Sequence, residues 1–552
     1  MEIGGAIRRV WPDPASLTTK RWLALIVLIG ALLRFVPITF GLPLDRARPD
    51  EEVAIGRALG MVGGDLNPHF FDWGSLTLYL FALSFSAASW IHDHVAPSGP
   101  LAVSDYYIVA RGIVMIAGTL TIVVLFRLAR IVTDDVTAAI AAFFLAVVPL
   151  HVRESHFAMT DTLMTLLATL ALLLLLRAFH EAADSSDPPG QRSHVLIGFA
   201  AAGVTAGLAT ATKYSAGALL APMAAVQVLL VPRALADSRW WRIWMPSAVF
   251  LAAMILGFLV GTPYAVLDYP AFSEGVLFDI QHLESGHGPD LGAAWIYHAT
   301  RTLPAGLGVS ICLAAIVGVV ALVKQGGRDA LIVLAFCAAL YGSMANGRTV
   351  FFRYVLPLVP AVCLSAAAGV RWAAAWLAAR TRLAPATVAA VAAVAVATTA
   401  SVNSVRLDQL LSRTDTRVLA GNWLTAQVRP DESLYDAGEQ GYQRVFLGNV
   451  RAHVWRFGTS DVAAKIFRRT DQIPDWLLLA QSPLEAYTPV PDELRQLATE
   501  RYDLATIIRA ASEPDPGVYD PQDGFFLPIA RFEAILRPGP TVAIYRKRPI
   551  AR

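Results

Sequence analysis

Residues 44–80 read LDRARPDEEVAIGRALGMVGGDLNPHFFDWGSLTLYL and follow the first long apolar segment, at residues 22–40. We call this stretch the first loop. Its acidic residues are Asp50, Glu51, Glu52, Asp65 and Asp72. The chain around it is mostly apolar, and a charge near bilayer depth is expensive, so acids packed against membrane spans indicate a function. We therefore expect chemistry in the first loop.

The composition is that of a protein that crosses a membrane several times. The chain has 552 residues, of which 55% are hydrophobic and 16% charged, and its mean hydropathy is +0.51. These values predict a multi-pass membrane protein. The net charge of +2, without a strong basic run, gives no indication of a nucleic-acid partner. Cys312, Cys337 and Cys363 lie in separate apolar segments and are interpreted as small core residues.

Apolar segments near the roughly 20 residues of a spanning helix recur along the first 400 residues. They are residues 22–40, 75–91, 106–126, 136–150, 160–177, 195–212, 214–231, 243–261, 303–323, 330–344, 350–370 and 384–400. The basic residues Arg8, Arg9, Lys20 and Arg21 precede the first segment, which predicts an uncleaved, cytoplasmic N-terminus.

Charge bias orients the segments. Loops rich in Lys and Arg are expected in the cytoplasm. These are residues 177–192, 233–242, 324–328 and 371–382. Asp50, Asp161, residues 264–301, residues 346–348 and the C-terminal part then lie on the opposite face.

One conflict arises from this orientation. Asp50 and Asp161 share a face only if an even number of crossings separates them, yet segments 75–91, 106–126 and 136–150 all lie between. Since 136–150 is short, we predict that it is half-buried or enters and returns. About 11 crossings follow, within a range of about 11 to 13.

From residue 403 onward, charges and prolines become frequent and apolar runs shorten to strand length. We predict a soluble α/β domain at residues 403–552 after a membrane module at residues 1–402. Residues 416–427 read as an amphipathic helix, and residues 433–436, 504–508 and 542–545 read as strands.

Two acidic positions are candidates for catalysis. Pro49, Asp50 and Glu51 read as the first turn of a short helix through Ala58, where acids also complement the helix dipole without any catalytic role. Asp161 begins another apolar run, after HVRESHFAMT at residues 151–160. A pair of carboxylates on one face allows one to act as a base while the other orients the acceptor or an ion.

Basic residues on the same face are candidates for binding phosphate. Lys213 and Tyr214 separate two apolar runs, and Arg348 and Arg353 lie in NGRTVFFRYVLPLVP. A guanidinium matches phosphate oxygens. The alternatives are a snorkelling Lys and Arg residues that pair with loop acids.

The sequence HLESGHG at residues 282–288 places His282, Glu284 and His287 close together. Its spacing is not that of a standard zinc site. A metal, a phosphate or acceptor contact, and ordinary loop polarity all stay open. We also count Asp72 and His156 among the candidate acceptor contacts.

With these residues identified, the chain resembles the GT-C superfamily of glycosyltransferases. It is most similar to the bacterial family 39 group of protein O-mannosyltransferases and aminoarabinose transferases. The matching features occur in family order. They are the Asp50–Glu51 pair, NPHFFDWGSLTLYL, SHFAMTDTLMT, the Thr212–Lys213 junction, FFRYVLPLVP, and a tail with RVLAGNWL and VAIYRKR.

The resemblance implies a GT-C fold, a polyprenyl-phosphate sugar donor and inverting transfer on the extracytoplasmic face of a bacterial inner membrane, with a periplasmic tail. Asp50 matches the catalytic acid of the family, and Lys213 and Arg353 match its phosphate contacts. No cofactor is required, although a divalent metal fits the chemistry. The acceptor is a lipid, a glycan or a protein.

The chain also departs from its relatives. Asp72-Trp73-Gly74-Ser75 stands where aminoarabinose transferases carry Glu-Lys-Pro-Pro, which counts against transfer to lipid A. The large inserted domain of the mannosyltransferases is absent from residues 264–301, which counts against a eukaryotic-type protein acceptor. The alternative functions are a lipid-linked sugar transporter or flippase, with charges near mid-membrane, and a non-catalytic scaffold.

Overall fold

The computed structural model describes most of the chain. The described residues are 16–95, 99–184, 193–234, 243–381, 383–438, 441–470, 472–484, 488–515, 517–523 and 525–549. Arg8, Arg9 and parts of the predicted inner loops at 177–192 and 233–242 lie outside these ranges.

Helices dominate residues 16–411. They are α1 (Leu17–Phe35), α2 (Glu51–Val62), α3 (Leu76–Val95), α4 (Val103–Val132), α5 (Asp135–Val147), α6 (Pro149–Glu154), α7 (Thr160–Asp184), α8 (Ser193–Thr212), α9 (Leu220–Ala234), α10 (Met245–Gly261), α11 (Tyr264–Leu267), α12 (Tyr269–Ser285), α13 (Ala294–Tyr297), α14 (Leu303–Leu307), α15 (Val309–Met344), α16 (Val359–Ala378) and α17 (Pro385–Leu411). Short 3₁₀ helices at Tyr214–Leu219 and Phe352–Leu358 precede α9 and α16.

The helices bear out a polytopic membrane fold. Among the described residues, seven helices are long and apolar enough to cross a membrane, and two shorter apolar helices, Asp135–Val147 and Met245–Gly261, accompany them. α15 is two helices joined across a kink at Gly327, which has φ 51° and ψ −119°. The kink falls in the loop predicted at residues 324–328, between two predicted spans.

α1 and α5 run parallel. At one end, the Thr19 hydroxyl donates to Asp135 at 3.4 Å. At the other end, Arg34 donates to the carbonyl oxygens of Leu145 and Ala146 at 3.0 and 3.1 Å. α5 therefore follows the length of α1, and it does not enter and return as the sequence suggested.

α4 runs antiparallel to α1. It ends just before Asp135, whereas its midpoint lies at the opposite end of α1: a Cβ on Gly118 would be 3.2 Å from Nε of Arg34. The chain therefore leaves α1 and enters α4 at the same face. α2 has 12 residues, about 18 Å, which is too short to cross.

From this order we infer that α3 does not cross, in contrast to the span predicted at residues 75–91. The amide of Ser75, just before α3, donates to Thr262, which directly follows α10. Leu83 and Trp90 are 69% and 61% exposed, so this side of α3 is apolar and is not covered by the described residues. If α6 continues α5 as one crossing over residues 135–154, α4 and α5 with α6 provide the even number of crossings that the orientation requires. The total of about 11 crossings stays a prediction.

Glycines allow close helix packing beside the site. Gly203 and Gly207 of α8 contact α10, and Gly257 and Gly261 of α10 contact α8, across a parallel interface. A Cβ on Gly207 would lie 2.1 Å from the carbonyl oxygen of Met254, and a Cβ on Gly257 would lie 2.4 Å from that of Val204. Small residues four apart permit this backbone contact.

The C-terminal part is an α/β fold around one mixed sheet, as predicted. Its helices are α18 (Thr416–Gln427), α19 (Ser460–Thr470) and α20 (Asp492–Arg501), and its strands are β1 (Ser433–Asp436), β2 (His453–Val454), β3 (Trp476–Gln481), β4 (Tyr502–Ile508) and β5 (Thr541–Lys547). The strand order is β2-β1-β3-β5-β4. β1 pairs parallel with β2 and β3, and β5 pairs antiparallel with β3 and β4.

Successive side chains of β3 point to opposite faces of the sheet, and both faces are buried. Leu477 and Leu479 pack with α19 and α20, whereas Trp476 and Leu478 pack with α18. The sequence missed β3 because WLLLAQ is apolar at nearly every position, and so lacks the alternation of a half-buried strand.

The chain divides into two compact units. Unit 1 comprises Met1–Phe35, Ala54–Leu101 and Val109–Ser404, and unit 2 comprises Val36–Val53, Ala102–Ile108 and Val405–Arg552. The segment with Asp50 thus groups with the C-terminal part. The domain division at residues 402 and 403 stays a prediction.

Candidate functional site

In unit 1, Asp161 lies at the start of α7, where a carboxylate complements the helix dipole. Its side chain is 2% exposed. Nζ of Lys213 is 2.6 Å from Oδ1, and Nε of Arg353 is 4.0 Å from Oδ2. Three separate chain segments thus bring one anion and two cations together. We call these three residues the Asp161 cluster.

Both cations lie where one helix ends and the next begins. Lys213 has an extended backbone, φ −154° and ψ 129°, between the end of α8 and the next 3₁₀ helix. Arg353 lies in the 3₁₀ helix before α16. Nζ of Lys213 is 4.5 Å from the Tyr354 ring centre, and Cζ of Arg353 is 4.4 Å from that of Phe351. These aromatic faces stabilise both cations.

Tyr214 supports the first loop. Its hydroxyl lies 2.9 Å from the carbonyl oxygen of Phe71 and 3.2 Å from that of Trp73, and donates toward both. A phenol has a single proton, so in this arrangement it is directed at the main chain. The predicted phosphate contact of Tyr214 stays a prediction.

Two further acids belong to this region. Burial raises the pKa of Asp279 on α12, and the charge of Asp161 adds to the rise, whereas Lys213 and His282 oppose it. Burial also raises the pKa of Asp72, with a further contribution from Asp279. Asp72 was a candidate from the sequence, but Asp279 was missed. Its spacing of three from His282, which puts both on one helix face, was the available signal.

The HLESGHG segment packs against the residues before Arg353. The His287 ring is 5.3 Å from His282 and 5.0 Å from Phe351, between ring centres. Glu284 is exposed. The exposed Arg348 pairs with Asp290 at 3.3 Å. Among the described residues, no group of three or more His, Cys, Asp or Glu is arranged to hold a metal.

His156 is fully buried. Its Nδ1 lies 2.8 Å from the carbonyl oxygen of Val152. The structure therefore shows a core position, and its role as an acceptor contact stays a prediction.

In unit 2, Asp50 precedes α2 with φ +72°, a left-handed conformation that Asp and Asn tolerate better than most residues. The sequence placed Asp50 inside the first helical turn. That was wrong, because α2 begins at Glu51. Glu51 is fully buried. Left-handed backbone conformations such as that of Asp50 are frequent at functional sites.

The surroundings of Glu52 change its pKa. Burial raises the pKa of Glu52 to about 7, and the charge of Asp50 adds to the rise, whereas its own main-chain amide, Tyr442 and Arg46 oppose it. Tyr442 comes from the C-terminal part, so no local pattern in the first loop could have revealed it.

Buried ion pairs hold the segment against the rest of unit 2. Arg48 pairs with Asp523 at 3.3 Å, both side chains being fully buried. Arg417 pairs with Asp415 at 2.6 Å and donates to the carbonyl oxygens of Arg46 and Tyr442. Breaking such a pair usually costs about 3–5 kcal/mol, so the main chain before Asp50 is firmly fixed.

Comparisons with known proteins agree with this architecture. Residues 104–266 match the model of a family described as dolichyl-phosphate-mannose-protein mannosyltransferase. No curated protein matches the chain.

Two solved structures share the fold over most of the chain. ArnT from Cupriavidus metallidurans, bound to undecaprenyl phosphate, is 15% identical with a TM-score of 0.51, over 95% of this chain and 98% of that one. The oligosaccharyltransferase AglB from Archaeoglobus fulgidus, in complex with an inhibitory peptide and a dolichol-phosphate, is 13% identical with a TM-score of 0.50, over 85% and 70%. The chain thus has the GT-C fold, which confirms at the level of the fold the resemblance that its sequence motifs indicate.

Proposed function

We propose that the chain is an inverting membrane glycosyltransferase that moves a sugar from a polyprenyl-phosphate donor to an acceptor hydroxyl. The observation that carries the proposal is the Asp161 cluster. Two cations converge on one buried carboxylate at the ends of helices, where a lipid phosphate could reach them from the membrane. The lipid phosphates bound to the ArnT and AglB structures are the donor class that we infer.

Lys213 and Arg353 bind the donor phosphate in this mechanism. Both carry donors suited to phosphate oxygens, and both already face an anion. As the bond to the sugar breaks, negative charge grows on the phosphate. Cations fixed in advance stabilise that charge, which is often the largest contribution to catalysis.

Asp50 removes the proton from the acceptor hydroxyl as that oxygen attacks the anomeric carbon from the side opposite the phosphate. The resemblance assigns this role to Asp50, and its left-handed backbone beside the fixed ion pairs is consistent with a position held for function. Phosphate is a good leaving group, so no metal is required. Glu51 is a second candidate for a catalytic acid in the first loop.

The chain is a polytopic membrane protein, and we assign it to a bacterial inner membrane with residues 403–552 in the periplasm. The support is the positive-inside bias and the similarity of the tail to bacterial members of the group. A flippase is not favoured, because Asp161, Lys213 and Arg353 lie at helix ends, whereas transporters concentrate charges near mid-membrane.

Mass spectrometry of co-purifying lipids tests the proposal. We expect a polyprenyl monophosphate sugar with the wild-type protein, and its loss in Lys213→Ala and Arg353→Ala. Lys324→Ala is the matched control, since Lys324 is exposed and distant in sequence from the cluster. A diphosphate-linked glycan, or bulk phospholipid in every sample, would contradict the donor class and favour a flippase.

A further inference from the structure

Unit 2 contains a cavity of about 430 Å³ beside the segment that carries the acids. One wall is residues 43–46 of the first loop, and the other is residues 444–448 of the C-terminal part. The remaining lining residues are Val103, Asp436, Val454 and Arg456. The ion pairs that fix Arg48 and the carbonyl of Arg46 hold the first wall in place.

The charges in the cavity favour an anion. Arg46, Arg444 and Arg456 line it, against Asp45 and Asp436. Both carboxylate oxygens of Asp436 already accept main-chain amides, from Gly438 at 2.9 Å and from Val445 at 2.8 Å. Its charge is therefore turned toward the backbone. Guanidinium groups offer paired donors that match a phosphate or carboxylate.

The same cavity has an apolar side formed by Leu44, Val103, Phe446 and Leu447. A free inorganic ion would leave these side chains in contact with water. A ligand with an anionic group attached to a sugar ring or a hydrocarbon part uses both kinds of wall.

Arg46 connects the cavity to the acids. It lines the cavity and also acts electrostatically on both Glu52 and Tyr442. Oε2 of Glu52 is buried and has no hydrogen-bond partner among the residues that the structure describes. Glu52 does not itself line the cavity; it follows Arg46 by six residues in the first loop.

We propose that this cavity is the acceptor site, and that the acceptor carries a phosphate or carboxylate near the hydroxyl that receives the sugar. The anionic group binds Arg46 and Arg444, and the acceptor is thereby held beside the part of the first loop that leads to Asp50 and Glu52. The C-terminal part thereby selects the acceptor. This inference rests on the proposed glycosyltransferase function and adds the chemical class of its acceptor.

Calorimetric titration of the full-length protein in nanodiscs tests the inference. Glucose 6-phosphate, methyl glucoside and inorganic phosphate serve as probes. We expect glucose 6-phosphate to bind more tightly than either of the other two, and Arg444→Ala to weaken its binding by about 10-fold or more, as for a charge-assisted hydrogen bond. Arg444→Lys keeps the charge without the paired donors, so its affinity for glucose 6-phosphate should lie between those of the wild type and Arg444→Ala. This conservative variant also serves as a control in case Arg444→Ala misfolds.

Arg451→Ala is the matched control, because Arg451 is an exposed residue of the same segment that does not line the cavity. It should bind glucose 6-phosphate as the wild type does. No binding of this probe to the wild type at millimolar concentration, or equal binding by Arg444→Ala, overturns the inference.

Lipid mass spectrometry of Arg444→Ala separates the acceptor from the donor. Retention of the polyprenyl-phosphate sugar, with loss of glucose 6-phosphate binding, supports an acceptor site. Loss of the donor in the same variant would assign the cavity to the donor phosphate and overturn the inference. Absence of any donor in the wild type would contradict the proposed function itself, whatever the titration shows.

Discussion

Asp161 and Glu52 both carry buried carboxylate oxygens, but their surroundings are opposite. Asp161 faces Lys213 and Arg353 within 4.0 Å. Burial raises the pKa of Glu52 to about 7 and the charge of Asp50 adds to the rise, whereas the main-chain amide of Glu52, Tyr442 and Arg46 oppose it.

This difference indicates two kinds of function. A carboxylate that contacts two cations fixes the positions of both, and the two cations then form a site for a second anion. A desolvated carboxylate that titrates near neutral pH, beside a second acid, is suited to accepting protons and hydroxyl groups. We therefore expect substitutions in the Asp161 cluster to change stability and donor binding, and substitutions at Asp50 and Glu52 to change rate and pH dependence.

The largest expected effect is that of Asp50→Asn. It should lower the rate of sugar transfer by roughly 10²–10⁴-fold, the usual contribution of a general base. Asn tolerates the left-handed backbone of residue 50, so folding and donor retention should not change. Transfer of labelled sugar from the lipid donor in proteoliposomes measures the rate.

Asp93→Asn is the control for that experiment, because Asp93 is an exposed acid near the end of α3. If Asp50→Asn keeps near-normal turnover, Asp50 is not the base. Glu51 and Glu52 would then be the candidates for the base.

Asp161→Asn should lower the free energy of unfolding. Removing the carboxylate leaves Lys213 and Arg353 facing each other without the anion between them, and breaking a buried pair typically costs about 3 kcal/mol. A donor phosphate would replace the missing charge, so added polyprenyl-phosphate sugar should raise the thermal midpoint of the variant more than that of the wild type. Thermal unfolding with and without donor measures both effects.

Asp290→Asn is the matched control, since Asp290 is exposed and its pair with Arg348 should contribute less than about 1 kcal/mol. Equal stabilisation of wild type and Asp161→Asn by the donor would contradict phosphate binding at this cluster.

Much of the fold could be predicted from the sequence, because long apolar runs have few structural solutions. The bounds of α18 and β1 agree with the prediction. α3 was predicted as a span because apolar composition alone does not separate a crossing helix from one lying on the membrane. Only the contacts of Thr19 and Arg34 with α5, and of Arg34 with α4, resolved the order of crossings.

The candidate site was less accessible to sequence reasoning. Asp161, Lys213 and Arg353 were each identified from charges at span ends, and the structure brings these three together. Tyr442 could not be connected with Glu52, because long-range contacts between the first loop and the C-terminal part leave no periodic pattern in either. The cavity between residues 43–46 and 444–448 could not be predicted for the same reason, since its two walls are far apart in sequence.

The smallest expected effect is the contribution of Glu52 to the pH dependence of stability. The pKa of Glu52 is about 7 in the folded protein, against an ordinary value of 4.5. Between these values the folded state binds more protons than the unfolded state, so the free energy of unfolding should fall as the pH rises from about 4.5 to about 7. Glu52→Gln removes this slope. Wild type should therefore lose more thermal stability than Glu52→Gln between about pH 5 and pH 8, and identical shifts in the two proteins would show that Glu52 does not titrate there.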